Sequence, residues 1–206
     1  MKIISPNFEI LTPLDPPALL ARLERAGRTC YRSENRITTD SAATFVRGLI
    51  KNGHHSVLEH ESLSVRLICD RGVTHELVRH RLAAYSQEST RYINYSRDPE
   101  TQGLVLIKPL FFPEGSEKYC LWLKAMEAAE QAYLDLTTAG ATAQEARTVL
   151  PNSLKTEIVM TANLREWRHI LTLRCAPPSH PQMREIMTRI QARFLELLPV
   201  IFKTKD

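Results

Sequence analysis

The stretch that limits what this chain can become is Arg79-His80-Arg81-Leu-Ala-Ala-Tyr-Ser-Gln-Glu-Ser-Thr-Arg91-Tyr92. Three arginines, a histidine, two hydroxyl-bearing serines, a glutamine and a glutamate fall within fourteen residues. A solvated helix face has no need of that mixture. On a helix, Arg79, His80 and Arg81 would point about 100° apart from one another. A helix end or a loop can aim all three at one ligand. Arginine suits a phosphate or an oxyanion because its fork donates two parallel charge-assisted hydrogen bonds. Ser86, Gln87 and Ser89 add neutral donors and acceptors that can read the edge of a ring. The bland alternative is a basic helix terminus, favoured by the helix dipole, running into a polar loop.

The elements before this stretch suit a rigid anion site. Leu63, Val65 and Leu67 alternate with Ser62, Ser64 and Arg66, the period of a half-buried strand. A turn at Asp70-Arg71-Gly72 and a helix over Val73 to Arg81 would follow, delivering the basic triplet at the helix C-terminus. Ahead of them, Gly53-His54-His55-Ser56-Val57-Leu58-Glu59-His60 holds three histidines and a glutamate. Its spacing does not match the H-E-x-x-H helix of zinc hydrolases. A histidine-rich turn bonding the backbone and a ligand site both remain open from the residues themselves.

Elsewhere the pattern alternates helix and strand. Lys2–Ile10 reads as a first strand. Asp15 caps a helix with Pro16 and Pro17 in its first turn and Gly27 as its stop. Thr38 or Thr39 caps a second helix carrying Phe45, Val46 and Leu49. Leu104–Ile107 reads as a buried strand. A long helix from Ser116 carries Leu121, Ala125, Ala128, Ala132 and Leu136 as its apolar stripe, widened by Trp122, Ala129 and Tyr133. Thr142 and Glu145 form a capping box, and Ser153–Ala162 reads as a strand. Asn163 caps a helix ending at Arg174, and Ser179 with Gln182 opens the last one. The expected class is α+β: one domain over residues 1–206, a mixed sheet with flanking helices.

Composition narrows the function. The 206 residues are 43% hydrophobic and 24% charged, enough for a real core. A net charge of +4 suits small anions better than the dense one-sided patch that wraps nucleic acid. No apolar run reaches a membrane span. Met1 to Leu14 has prolines and acids rather than a basic-then-apolar leader, so a cytoplasmic protein is expected. The four cysteines are scattered, with no C-x-x-C.

Arg79-His80-Arg81, seven residues, then Ser89 and Arg91 resembles the RHR-x7-S signature of the flavin-dependent thymidylate synthases. Four further segments resemble that family in the same order. Gly53 to His60 is similar to its G-H-x-[ST]-x-x-E-H segment. Arg147-Thr-Val-Leu-Pro151 is similar to its A-R-x-x-L-P segment. Asn163-Leu-Arg165 through Leu173-Arg174 is similar to its N-x-R…L-R segment, with His169 where many members have Asn. His180 matches a family histidine near the last helix, behind the inserted Pro177-Pro178. Within the signature, Ser86-Gln87-Glu88 stands where many members have Asn-Glu-x.

The resemblance implies a thymidylate synthase-complementing fold. It also implies reductive methylation of dUMP to dTMP, with methylenetetrahydrofolate as carbon donor and FAD reduced by NADPH. By the same implication Arg174 and His54 are catalytic. Glu76, Arg79, Gln87, Glu88, Ser89, Thr90, Arg91, Arg147 and Arg174 bind dUMP. Ser56, Glu59, Arg79, His80, Arg81, Gln87, Asn163, Arg165 and His180 bind FAD. No metal, nucleic acid or membrane partner is implied, and the protein is expected to be a homotetramer with shared active sites. No glycine-rich G-x-G-x-x-G turn is present, so a Rossmann-type flavin domain is not expected. Other readings are a cysteine nucleophile at Cys175, an attacking hydroxyl at Ser89, a non-catalytic nucleotide or nucleic-acid binder, and a helical interaction module.

Overall fold

A computed structural model describes residues 1–97 and 103–203. In chain order the elements are β1 (Lys2–Ile4), β2 (Asn7–Ile10), α1 (Pro16–Thr29), α2 (Ser41–Lys51), β3 (Ser62–Asp70), α3 (Arg71–Leu77), β4 (Ala83–Gln87), β5 (Val105–Ile107), α4 (Glu117–Thr138), α5 (Ala143–Ala146), β6 (Lys155–Asn163), α6 (Leu164–Arg174), α7 (Pro181–Leu197) and α8 (Pro199–Phe202). A two-stranded sheet joins β1 to β5, and a four-stranded sheet has the order β2-β3-β6-β4. This mixture of sheets and helices is the expected α+β class. The chain divides into two compact units, the first comprising Met1–Phe8, Arg66–Arg79 and Tyr85–Val159, the second Glu9–Val65, His80–Ala84 and Met160–Asp206.

In the first unit β1 pairs parallel to β5, Lys2 with Val105 through Ile4 with Ile107. The core beside them gathers Tyr95, Leu104, Leu106, Tyr133, Ala146 and Leu154. Tyr133 reaches it from α4, its ring edge-on to Tyr95 at 5.7 Å and its hydroxyl accepting from the Tyr95 N–H at 3.3 Å. Trp122 packs on the same side and donates its indole N–H to Ser153 at 3.1 Å. The α4 stripe therefore lies differently from the sequence expectation. Trp122, Met126, Tyr133 and Leu136 face the core, while Leu121 is 63% exposed and Ala125 and Ala128 are exposed. The large rings claim the buried face, and the alanines, with little surface to hide, are left outside.

In the second unit Trp167 of α6 is fully buried, edge-on to Phe194 of α7 at 5.1 Å, and donates to the Leu63 carbonyl at 3.0 Å. Asp15 caps α1 as expected, accepting from the Ala18 N–H at 3.1 Å. Gly27 does not stop that helix. A Cβ there would meet the Phe45 ring at 2.8 Å, so glycine is present to let α1 and α2 approach. Glu24 is buried beneath them, accepting from Arg28 at 2.7 Å and from the Ser41 hydroxyl at 2.8 Å.

Other boundaries moved for local reasons. The expected first strand is two, β1 and β2, interrupted at Ser5-Pro6; proline has no N–H to give a ladder. Asp40, not Thr38 or Thr39, precedes α2, and Ser41 accepts from the Thr38 N–H at 2.9 Å. No turn separates β3 from α3, because Asp70 ends the strand and caps the helix, accepting from the Val73 N–H at 2.8 Å. The helix stops at Leu77, so the basic triplet lies beyond it, and Ala83–Gln87 continues as a strand. His180, not Ser179, occupies the cap position of α7, leaving the Ser179 hydroxyl oxygen buried without a partner among the described residues.

Candidate functional site

The first unit holds most of the residues expected to bind the nucleotide. Gln87, at the end of β4, donates to the Thr74 hydroxyl at 3.0 Å and to the Thr156 hydroxyl at 3.3 Å, both threonines being buried. Glu88 follows and accepts from Lys155 at 3.2 Å and from the Glu157 N–H at 3.0 Å. The Gln87 donor and the Glu88 acceptor fix the residues at the strand end, so the departure Ser86-Gln87-Glu88 is built into the local fold. A cleft of about 470 Å³ runs over them, lined by Arg66, Ser86, Gln87, Glu88, Lys155, Glu157 and Val159. Burial works to lower the Lys155 pKa, but its bond to Glu157 and the charge of Glu88 outweigh it and hold the ammonium above its ordinary value.

After the strand the chain folds back. Ser89 accepts the Arg91 N–H on its hydroxyl at 3.3 Å, and Arg91 reaches Gln144 at 2.9 Å. Thr90 is buried. Glu76 is half-buried on α3, Arg79 is exposed just past that helix, and Arg147 is exposed at the end of α5. Glu76, Arg79, Thr90, Arg91 and Arg147 do not line the cleft.

The second unit holds nearly all the residues expected to bind flavin. Asn163 caps α6, accepting from the Glu166 N–H at 2.8 Å. The first turn of α6 thereby turns Arg165 toward Glu59, which it meets at 2.6 Å. Asn163, Arg165, Glu166, His169, Glu59 and Leu82 line a cleft of about 500 Å³. Behind it lies His80, only 7% exposed. Its Nε2 accepts from Arg174 Nε at 2.9 Å, and its ring meets His169 edge-on at 6.3 Å. A lone pair is needed to accept from a guanidinium, so this imidazole is neutral and its proton sits on Nδ1. Glu166 lies 3.7 Å from that nitrogen, beyond a direct hydrogen bond. Burial first, then the charges of Arg174 and His169, push the His80 pKa down to about 4. The sequence predicts the same neutral state from the flanking arginines; the cation responsible is instead Arg174, ninety-four positions on.

His54 and Ser56 are exposed at the 3-10 turn His55–His60, and Arg81 and His180 are exposed as well. None of these four lines that cleft of about 500 Å³. Glu166 and Lys155 were absent from the expected site, and His169 was noted only as a departure from the family's Asn. The α6 pair had a legible signal, since Arg165 and His169 stand four apart and Glu166 and His169 three apart, which places them on one helix face. Lys155 had none, because its partner Glu88 lies 67 positions away.

A family model described as thymidylate synthase complementing protein matches residues 17–200. A protein of Mycolicibacterium gilvum named flavin-dependent thymidylate synthase is 35% identical, over 96% of this chain and 83% of its own. One of the same name from Geobacter sulfurreducens is 32% identical, over 92% of this chain and 82% of its own. Among solved structures, the UMP/dUMP methylase PolB of Streptomyces cacaoi, bound with 5-Br dUMP, superposes with a TM-score of 0.79 over 98% of this chain and 96% of that one, at 24% identity. That likeness is one of fold.

Proposed function

The chain belongs to the thymidylate synthase complementing family, and from that premise we propose that it methylates dUMP to dTMP, taking the carbon from methylenetetrahydrofolate and the reducing equivalents from NADPH through FAD. The observation that carries this reading is the second-unit cleft, where Glu59, Asn163 and Arg165 meet in front of the His80–Arg174 bond. Its donors fit a flavin dinucleotide. Arg165 offers an exposed guanidinium group for a diphosphate, and Asn163 and His169 offer hydrogen-bonding partners for a ring edge, with Arg81 exposed outside the cleft lining as a second cation. FAD, when bound, supplies the hydride that completes the methyl group.

The chain's own residues bind and orient. Arg79, Arg91 and Arg147 neutralise the nucleotide phosphate, with Ser89 and Thr90 as hydroxyl partners. Arg174 is aimed by His80 and stabilises the charge that develops on the uracil ring. Glu76, Gln87 and Glu88 hold the pyrimidine side of the nucleotide cluster, and His54, Ser56 and His180 belong to the flavin side. The active unit is a cytoplasmic homotetramer in which copies of the chain share sites.

The purified protein is expected to be yellow and to release tritium from [5-³H]dUMP only when FAD is bound. Tritium release that ignores flavin would refute the proposal. Cys175 is half-buried and burial pushes its thiol pKa up, the reverse of what a nucleophilic thiolate needs. Cys175→Ala is therefore expected to keep turnover; collapse of activity at normal flavin content would instead favour the covalent route.

A further inference from the structure

A second cleft in the same unit, of about 310 Å³, is lined by His55, Arg165, Arg168, His169, Thr172 and Gln191 together with Leu171 and Phe202. It shares Arg165 and His169 with the flavin-side cleft and has its own cation, Arg168. That residue is half-buried on α6. Its guanidinium donates to the Ile201 carbonyl and meets no carboxylate among the described residues. Burial acts on its pKa, lowering it, and no acidic side chain among the described residues raises it in return. Arg165, by contrast, already has Glu59 at 2.6 Å. A desolvated cation without a counter-charge is costly unless something anionic completes it. The rest of the polar lining is two imidazoles, a hydroxyl and an amide; the Thr172 hydroxyl donates to the Arg168 carbonyl at 2.8 Å and the His55 Nε2 lies 3.3 Å from the Ile50 carbonyl, so His169 and Gln191 are the partners an anion would use beside Arg168.

We propose that this cleft is an anion site for a phosphate monoester, held by Arg168 with His55, His169, Thr172 and Gln191 around it. The planar fork of Arg168 matches two phosphate oxygens, and the low local dielectric strengthens the pair. The volume admits a phosphate on a ribose and little more. Two sources share that chemistry: the ribose phosphate of the reductant NADPH, an assignment that rests on the function proposed above, and free phosphate, which does not.

The test uses the FAD-loaded full chain. Inorganic phosphate is titrated calorimetrically into the wild type, Arg168→Met and Arg168→Lys, and the KM for NADPH is set against that for NADH. Arg168→Met should weaken phosphate binding by about tenfold or more, the scale of a lost charged hydrogen bond, and Arg168→Lys should restore part of it. Flavin absorbance and flavin-dependent tritium release with chemically reduced enzyme should stay unchanged. If the KM for NADPH rises and that for NADH does not, the reductant is the source. If both are unchanged while phosphate binding is lost, the site takes free phosphate. Wild-type protein that binds no phosphate, equal binding in all three proteins, or loss of flavin from Arg168→Met would overturn the proposal. Should Arg168→Met fail to fold, Gln191→Leu tests the same cleft, and unchanged phosphate affinity there counts against it.

Discussion

At His80, burial and neighbouring charge act in one direction. The imidazole is 7% exposed, accepts from Arg174 and is held neutral with its pKa near 4. A histidine whose folded pKa lies below its unfolded value contributes stability above the unfolded pKa of 6.5 and loses it as pH falls toward about 4. Thermal unfolding followed between those limits should show a fall in melting temperature on acidification that His80→Gln lessens. An equal fall in both proteins would remove His80 as the cause. Arg79 makes a simpler prediction. It is exposed past α3, and Arg79→Ala should weaken dUMP binding by about 1.5–3 kcal/mol. An unchanged dissociation constant would mean that Arg79 does not hold the phosphate. The triplet's chemistry was legible in the sequence because adjacent charges are a local fact. The partner that fixes His80 was not, since nothing short-range links positions 80 and 174.

Among the elements, α1 and α2 pack through a glycine. Gly27→Ala would place a Cβ 2.8 Å from the Phe45 ring. The expected cost is about 1–3 kcal/mol, the range for overpacking a fitted contact. Denaturant unfolding should show it, and adding Phe45→Leu should recover part of the loss. A Gly27→Ala protein as stable as the wild type would show that the helices can separate at no cost. This glycine reads in the sequence as a helix stop because its composition signal is the same in both roles. Strand β4 was hidden for a related reason. Its five residues sit inside the basic signature, where chemistry draws attention away from the period of two. Alternation was clear in β3, where buried Leu63, Val65 and Leu67 mark one face; in β6 the structure supplies it, with Ile158, Met160 and Ala162 buried on one face.

For the whole molecule, the residues expected to bind dUMP fall in the first compact unit except Arg174, and those expected to bind FAD fall in the second except Arg79 and Gln87. In a tetramer with shared sites, a copy defective in one set can be completed by a copy defective in the other. Co-assembled Arg147→Ala and Arg165→Ala chains should therefore regain activity that neither has alone, and sedimentation should report four chains per particle. Mixed particles as inactive as the parents would argue that each copy carries its own complete site.

Sequence alone determined the chemistry and the kinds of element: which stretch gathers cations, where strands alternate, and which aspartate and asparagine cap α1 and α6. Those are short-range properties, set by neighbours within a helical turn or a strand period. Only the tertiary structure decided which face of α4 is buried, that Gly27 serves a contact, that Lys155 holds Glu88, and that Arg174 keeps His80 neutral. These outcomes depend on side chains brought together from distant positions, where packing volume and desolvation select the partner.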